Sequence, residues 1–239
     1  MKRWLLLSCF ALLFVSGFSQ NGWQQAEDFY RQGKFSAALG LYENLLKDYP
    51  NDPFVYYNIG NCYFKMGSKG LAAANYFRAF RLAPRDSDIR HNLTLALASG
   101  GERLVPAGMP VILHKGFFYL SYAELKGLAY AGLWFVCALI LLGLLRRKWS
   151  SWATVCCVLW LLLAGWWYAR ARLEQEPLAV VASAIAEIRS GPGTNFPASA
   201  NVAQGHLVTI LDDKDSWYEV IVTSQGIKGW VEKSTIEKI

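Results

Sequence analysis

The sequence predicts a multidomain membrane protein with three parts: an all-α stack of helical repeats, a transmembrane helical hairpin and an all-β barrel. A pattern of small and aromatic residues recurs after 34 residues near the N-terminus, which is the period of a helix-turn-helix repeat. Two apolar runs, each about 20 residues long and thus able to cross a bilayer, flank a short basic turn. The C-terminal part consists of short alternating segments with turn signals, typical of a small antiparallel barrel.

Residues 1–19 have the layout of a secretory signal peptide. Lys2 and Arg3 precede an apolar run from Trp4 to Val15, after which small residues follow. We therefore expect cleavage after Ser19 and export of the following chain. The alternative is an uncleaved anchor helix, which leaves the repeats on the same outer side because basic residues stay in the cytoplasm.

Residues 20–98 contain the repeat. The first copy and its recurrence are Gly33, Phe35, Ala38, Tyr42, Leu45, Pro50 and Gly67, Lys69, Ala72, Tyr76, Ala79, Pro84. In the second copy, Ile59, Gly60 and Tyr63 lie on one apolar face of a helix. We expect Gly60 to let a neighbouring helix approach closely, and Gly67 to end its helix in a left-handed turn. This pattern resembles the tetratricopeptide repeat.

A further helix is expected after Pro84. Asp86 or Ser87 would cap it, and its apolar face would run through Ile89 to Leu97. No second helix completes this unit, so the stack consists of two repeats and a capping helix. Because such stacks usually need three units, we expect a dimer contact or a partner to supply the missing stability.

The first helix of each unit is expected to line the concave surface of the stack, where a partner protein would bind. The candidate partner-binding residues are Tyr57, Asn58, Asn61, Phe64, Lys65, His91 and Asn92. Asparagine side chains at such positions can pair with the backbone of an extended peptide. The alternative is that these residues form an ordinary solvated helix face.

The middle of the chain is predicted to form the hairpin. Residues 127–145 and 149–168 contain no ionisable side chain apart from tyrosine and cysteine, and each run is predicted to span the membrane. The basic turn at residues 146–148 belongs on the cytoplasmic side, so both ends of the hairpin lie outside. Residues 99–126 are expected to be a linker with an interfacial segment, and residues 169–176 a second linker.

Residues 177–239 are expected to close into a barrel of five strands. Four pieces in the same order carry a resemblance to the bacterial SH3-like domain: Ile188–Gly193, a turn at Gly205, Trp217–Val220 and Gly229–Val231. The resemblance implies a peptide or a cell-wall fragment as ligand.

The candidate ligand contacts on this barrel are Asp215 and Tyr218. Tyr218 points to the opposite face of its strand from Trp217, and we expect Trp217 and Trp230 to belong to the barrel core. The competing possibility is a groove that includes Trp217 itself.

The sequence contains no recognisable constellation for chemistry. His91, His114 and His206 fall in separate segments without cysteine or carboxylate at metal-ligand spacing, so we expect no metal site, no cofactor and no catalytic residue. Cys62 is expected to be a small apolar residue of a packed helix rather than a redox centre. The net charge of +6 arises mainly from membrane-flanking residues, so we expect no nucleic acid partner.

The order of these modules resembles the BatE-like family of the Bacteroides aerotolerance (Bat) operon. That resemblance implies a non-enzymatic scaffold in the bacterial inner membrane, in contact with the lipid bilayer and with both soluble domains facing the periplasm. It also implies von Willebrand A-domain membrane proteins as partners, and a role in tolerance of oxygen or envelope stress. The alternative is a peptidoglycan-binding or cell-wall sensing module that acts through the SH3-like domain.

Overall fold

The computed structural model describes residues 22–146 and 151–239. The predicted signal peptide and most of the predicted basic turn lie outside the described residues. The chain divides into two units. The first contains the N-terminal helices together with the C-terminal strands, and the second contains residues 81–85 and 105–176.

The N-terminal helices form the repeat stack. They are α1 (residues 22–31), α2 (Phe35–Asp48), α3 (Pro53–Lys65), α4 (Lys69–Leu82) and α5 (Ser87–Ser99). Apolar side chains of α1, α2 and α3, among them Tyr42, Ile59 and Cys62, share one core. The pairs α1/α2 and α3/α4 follow the 34-residue period of the sequence, and α5 follows them as a single helix.

Two glycines have the roles that their positions predict. A Cβ atom at Gly60 would lie 2.6 Å from the Tyr76 ring, so glycine is required for α4 to pack this closely on α3. Gly67 follows α3 with φ +83°, the left-handed conformation that ends a helix. Both predictions are confirmed.

Asp86 is the residue that caps α5. Its carboxylate accepts hydrogen bonds from the backbone N–H groups of Asp88 and Ile89, at 2.9 and 3.0 Å. The apolar face of the helix, through Leu93 and Leu97, is buried. Of the two caps that the sequence allows, the structure selects the first.

The C-terminal β-domain (residues 177–239) is an antiparallel sheet of seven strands. The strands are β1 (Leu178–Val181), β2 (Ile185–Arg189), β3 (Ala198–Ala203), β4 (Leu207–Lys214), β5 (Trp217–Val222), β6 (Ile227–Glu232) and β7 (Ile236–Lys238). Their order is β3-β2-β6-β5-β4-β1-β7, and every strand contributes to one core. The expectation of five strands is too low because β1 and β7 have only four and three residues, too few to show an alternating pattern.

Within the first unit, the β-domain packs on α4 and on the end of α5. A Cβ atom at Gly70 would lie 2.1 Å from the carbonyl oxygen of Val181. A Cβ atom at Gly100 would lie 2.6 Å from the carbonyl carbon of Gly205. Both contacts bring two backbones together with no room for a side chain between them.

Polar contacts join the same two parts of the first unit. The Arg78 guanidinium donates hydrogen bonds to the Glu237 carboxylate and to the carbonyl oxygen of Lys238. The Ser224 hydroxyl donates to the Glu102 carboxylate. The β-domain thus supplies a packing layer to the short repeat stack from within the same chain.

The second unit contains the helical hairpin. Its helices are α6 (Val111–Phe117), α7 (Tyr122–Leu145) and α8 (Ser151–Glu174). A capping box of Ser121 and Glu124 starts α7 ahead of the predicted apolar run, and α8 continues past its predicted end into the charged residues that follow. The Trp160 Nε1–H donates to the carbonyl oxygen of Ala129, at 2.9 Å, which joins the two helices. Both are long and apolar enough to cross a membrane.

We expect Gly70→Val to destabilise the first unit, because the new side chain would overlap the Val181 carbonyl group. Overpacking of this kind costs about 1–3 kcal/mol in the free energy of unfolding. Denaturant unfolding of the full chain, followed by fluorescence, measures the change. Gly40→Val is the matched control, since Gly40 is exposed on α2 with nothing within 4 Å of its Cβ position. Equal losses in the two variants would contradict the close backbone contact.

Candidate partner-binding groove

The repeat stack contains a groove of about 280 Å³ between its helices. The groove is lined by Tyr30, Tyr57, Asn61, Phe64, Lys65, Tyr76, Asn92 and Leu95. The largest contribution comes from α3, where Tyr57, Asn61 and Phe64 follow each other at intervals of four and three residues. This spacing places the three side chains on one face of the helix.

Most of the predicted partner-binding residues lie in this groove, but two of them do not. Asn58 is not among the lining residues, although its side-chain oxygen accepts a hydrogen bond of 3.5 Å from the Asn61 amide. His91 is exposed and does not line the groove, whereas its neighbour Asn92 does.

Two tyrosines in the groove were not predicted. Tyr30 on α1 lies 34 residues before Phe64, so the repeat period could have identified it. Tyr76 comes from α4, the second helix of its repeat, and its hydroxyl reaches the groove past Gly60. Only the first helix of each unit was expected to line the groove, so Tyr76 lay outside the expected set.

A hydrogen-bond network forms the polar part of the groove. The side-chain oxygen of Asn61 accepts one bond from the Tyr76 hydroxyl, at 2.7 Å, and another from the Asn92 amide, at 3.0 Å. The same Asn92 amide group donates to the Tyr57 hydroxyl oxygen, at 3.1 Å. The network connects α3, α4 and α5, so the groove is held in one shape by side chains of three helices.

The groove carries opposite charges toward its two ends. Burial raises the pKa of Tyr57, and the carboxylates of Asp88 and Asp86 raise it further. Negative charge therefore acts near the Tyr57 end, while the exposed ammonium group of Lys65 lies at the other end of α3. Eight residues of helix separate these ends by about 12 Å. Burial also raises the pKa of Tyr76, so its hydroxyl keeps its proton and remains a donor to Asn61.

Cys62 lies in the core behind the groove face. Burial, followed by the charge of Glu43, raises the pKa of its thiol from the ordinary value of 9.0 to about 11. A thiol of this kind stays protonated at physiological pH and is a poor nucleophile. The structure thus places Cys62 as a packing residue. Among residues 22–146 and 151–239, no cluster of His, Cys, Asp or Glu could hold a metal ion.

The β-domain has a pocket of its own, of about 250 Å³. It is lined by Ile185, Glu187, Arg189, Trp217, Glu232 and Thr235. The Arg189 guanidinium donates hydrogen bonds to the Glu187 carboxylate and to the carbonyl oxygens of Thr194 and Phe196. Arg189 thus connects the pocket, which β2 lines with Ile185, Glu187 and Arg189 itself, to the loop between β2 and β3.

The expectation that Tyr218 is an exposed ligand contact must be corrected. Tyr218 is 8% exposed and belongs to the core of the β-domain. Trp217 is buried as expected, at 9% exposed, but it also lines the pocket, and Trp230 is half-buried. The cause is the two-residue period of β5, because Val220 and Val222 face the core and Tyr218 shares their side of the strand. The ammonium groups of Lys233 and Lys238 lie over the Tyr218 ring.

Asp215, the other predicted ligand contact, lies in the turn before β5 with φ +50°, outside the pocket lining.

These features define a chain that joins two kinds of module, a helical repeat and a small β-domain. Comparison with known families identifies both. The TPR repeat family matches residues 26–67, and the bacterial SH3 domain family matches residues 185–237. The chain therefore contains tetratricopeptide repeats and a bacterial SH3 domain, as the sequence predicts.

Two curated relatives of the chain are tetratricopeptide repeat proteins. Tetratricopeptide repeat protein 16 of Macaca fascicularis and that of Homo sapiens are each 35% identical to this chain over 57 residues. The match covers 24% of this chain and spans 6% of the length of each relative. This match supports the assignment of tetratricopeptide repeats to the chain.

We expect Tyr76→Phe to lower the free energy of unfolding by about 0.5–1.5 kcal/mol, because Asn61 loses a donor in a buried network. Urea unfolding of the full chain measures this change. Tyr63→Phe is the matched control, since the Tyr63 hydroxyl makes a longer, exposed hydrogen bond of 3.4 Å to Glu43. If both variants lose the same stability, the network does not hold the groove.

We expect the free energy of unfolding to fall as pH rises from about 9 to about 11, because the unfolded chain releases the Cys62 proton before the folded chain does. Cys62→Ala removes this contribution. The difference in stability between wild type and variant should therefore shrink over that interval, as measured by denaturant unfolding at each pH. Parallel pH profiles would show that the folded environment does not raise the pKa of this thiol.

Proposed function

We propose that this protein is a non-enzymatic inner-membrane scaffold whose periplasmic repeat groove binds partner proteins of a Bat-type complex linked to oxygen or envelope stress tolerance. The observation that carries this proposal is the groove network of Tyr57, Asn61, Tyr76 and Asn92. Because its side chains are already oriented in the free protein, a partner binds without first ordering them.

The shape and charge of the groove favour an extended peptide segment of the partner. The distance of about 12 Å between the Tyr57 and Lys65 ends matches about four residues of extended chain. Aromatic side chains offer apolar surface to the peptide side chains, and the opposite charges at the two ends set its direction.

The packing of the first unit supports the proposed location. The repeats and the β-domain precede and follow the hairpin in the sequence, yet they contact each other. Two parts of a chain that pack together must lie in the same compartment, which is satisfied when the intervening segment crosses the membrane twice. The secretory signal expected at residues 1–19 favours the periplasm as that compartment.

The partners we propose are von Willebrand A-domain membrane proteins of the same operon, on the basis of the resemblance to the BatE-like family. Both soluble modules are of kinds that are typically non-catalytic, which favours assembly rather than turnover.

A second candidate function is binding or sensing of the cell wall through the β-domain. The pocket of the β-domain favours this function, because the aromatic ring of Trp217 lines it beside the polar side chains of Glu187, Glu232 and Thr235. Such a combination suits a peptidoglycan sugar or stem peptide. In that case the repeats stabilise the β-domain and the hairpin tethers it.

The experiment that tests the proposal is a crosslinking pull-down from membranes with the full chain. Tyr57→Ala/Asn92→Ala should reduce capture of A-domain proteins by at least about tenfold, because hot-spot aromatic residues contribute about 2 kcal/mol or more to binding. The matched control is Phe54→Ala/His91→Ala, which changes exposed residues of the same helices, α3 and α5, that do not line the groove. The control should retain capture.

Two results would count against the scaffold. Unchanged capture with the groove variant would exclude the groove as the partner site. Capture of wall material instead, lost on Trp217→Ala and retained by the groove variant, would support the cell-wall function. Far-ultraviolet circular dichroism of each variant establishes that it is folded.

A further inference from the structure

The short helix α6 in the second unit turns apolar side chains outward. Val111, Ile112 and Leu113 are 55%, 77% and 64% exposed. The other side of the helix is buried, where His114 is 3% exposed. α6 is therefore an amphipathic element whose apolar side faces away from the rest of its own unit.

Two contacts hold the end of α6 against α8. The Trp166 Nε1–H donates to the carbonyl oxygen of Phe117, at 3.1 Å. The Arg170 guanidinium lies 4.3 Å from the centre of the Phe118 ring, and Arg170 itself is only 1% exposed. A cation held against an aromatic ring in a buried place is a strong and directional contact. These two contacts fix α6 beside the stretch of α8 from residue 166 to residue 170.

The composition of residues 166–170 of α8 indicates the depth at which this stretch lies in a bilayer. Trp166, Trp167 and Tyr168 are consecutive aromatic residues near the end of α8, where membrane helices carry the aromatic residues that prefer the membrane–water interface. On the other side of α6, the capping box at Ser121 starts α7. α6 is thus attached to both apolar helices near the depth at which head groups meet acyl chains.

We propose that α6 lies in this boundary layer of the same phospholipid bilayer that α7 and α8 cross, with its exposed apolar side chains among the acyl chains. The proposal rests on the membrane location proposed above. Lys115 is exposed at the end of α6 and can extend toward the phosphate groups. Lipid is the occupant that the geometry favours, because it is the medium around α8 at this depth.

Photocrosslinking tests the proposal in the full chain, reconstituted into nanodiscs of phosphatidylethanolamine and phosphatidylglycerol. A photoreactive amino acid replaces one residue at a time, and mass spectrometry measures the fraction of chain that carries a lipid adduct. The test position is Ile112. Leu141, 58% exposed in α7, is the membrane reference, and Leu211, 49% exposed on β4, is the reference outside the membrane.

The expected result is a lipid adduct at Ile112 in a fraction similar to that at Leu141 and several-fold above that at Leu211. If Ile112 behaves as Leu211 does while Leu141 reacts with lipid, the membrane location stands and the proposal for α6 is overturned. If Leu141 also fails to react, the membrane location and the proposal both fall. An adduct of Ile112 with protein instead of lipid also overturns the proposal.

A second variant tests the contact that positions α6. Phe118→Ala removes the ring against which Arg170 packs, so lipid adducts at Ile112 should fall several-fold while those at Leu141 stay constant. Phe54→Ala, which removes an exposed ring from α3, is the matched control and should leave both positions unchanged. Unchanged adducts at Ile112 in the Phe118 variant would overturn the role of this contact.

Discussion

The Tyr76 side chain connects the packing of the repeats with the shape of their groove. Its ring occupies the space that Gly60 leaves open, where any larger residue would overlap it. Its hydroxyl, at the end of the same rigid ring, donates to Asn61 in the groove. The distance between α3 and α4 therefore determines where Asn61 is held, and through Asn61 the position of Asn92 on α5. A change in repeat packing would move the proposed binding surface with it.

The contact between the repeats and the β-domain places a constraint on the whole chain. Gly70 and Arg78 contact the β-domain from the side of α4 that points away from Tyr76, so the groove stays open while the opposite surface is covered. The two contacting parts are separated in sequence by α6, α7 and α8. Their association agrees with the proposed hairpin of two membrane spans, which would return the chain to the side from which it started.

The sequence predicted the features that depend on local or periodic patterns. Gly60, Gly67 and Asp86 could be assigned because their roles follow from position in a repeat and from helix-end chemistry. Tyr218 could have been placed correctly by the alternation of β5, and Tyr30 by the repeat period. The contact of Gly70 with Val181 was not predictable, because the two residues are far apart in sequence. A glycine in a helix can indicate a close approach, but the sequence does not indicate which segment approaches it.

The same distinction explains why α6 was expected only as an interfacial segment and not as a helix. Its apolar residues are consecutive, so no helical period stands out, and its position depends on Arg170, a residue beyond the second apolar run. A charged residue at the end of a membrane helix is usually assigned to solvent or to head groups. Here Arg170 is buried against Phe118, because the folded chain brings an aromatic segment that precedes α7 to the end of α8. Neither Phe118 nor Arg170 can be assigned to this contact from its own sequence position. The two side chains meet because α8 returns to the level at which α7 begins.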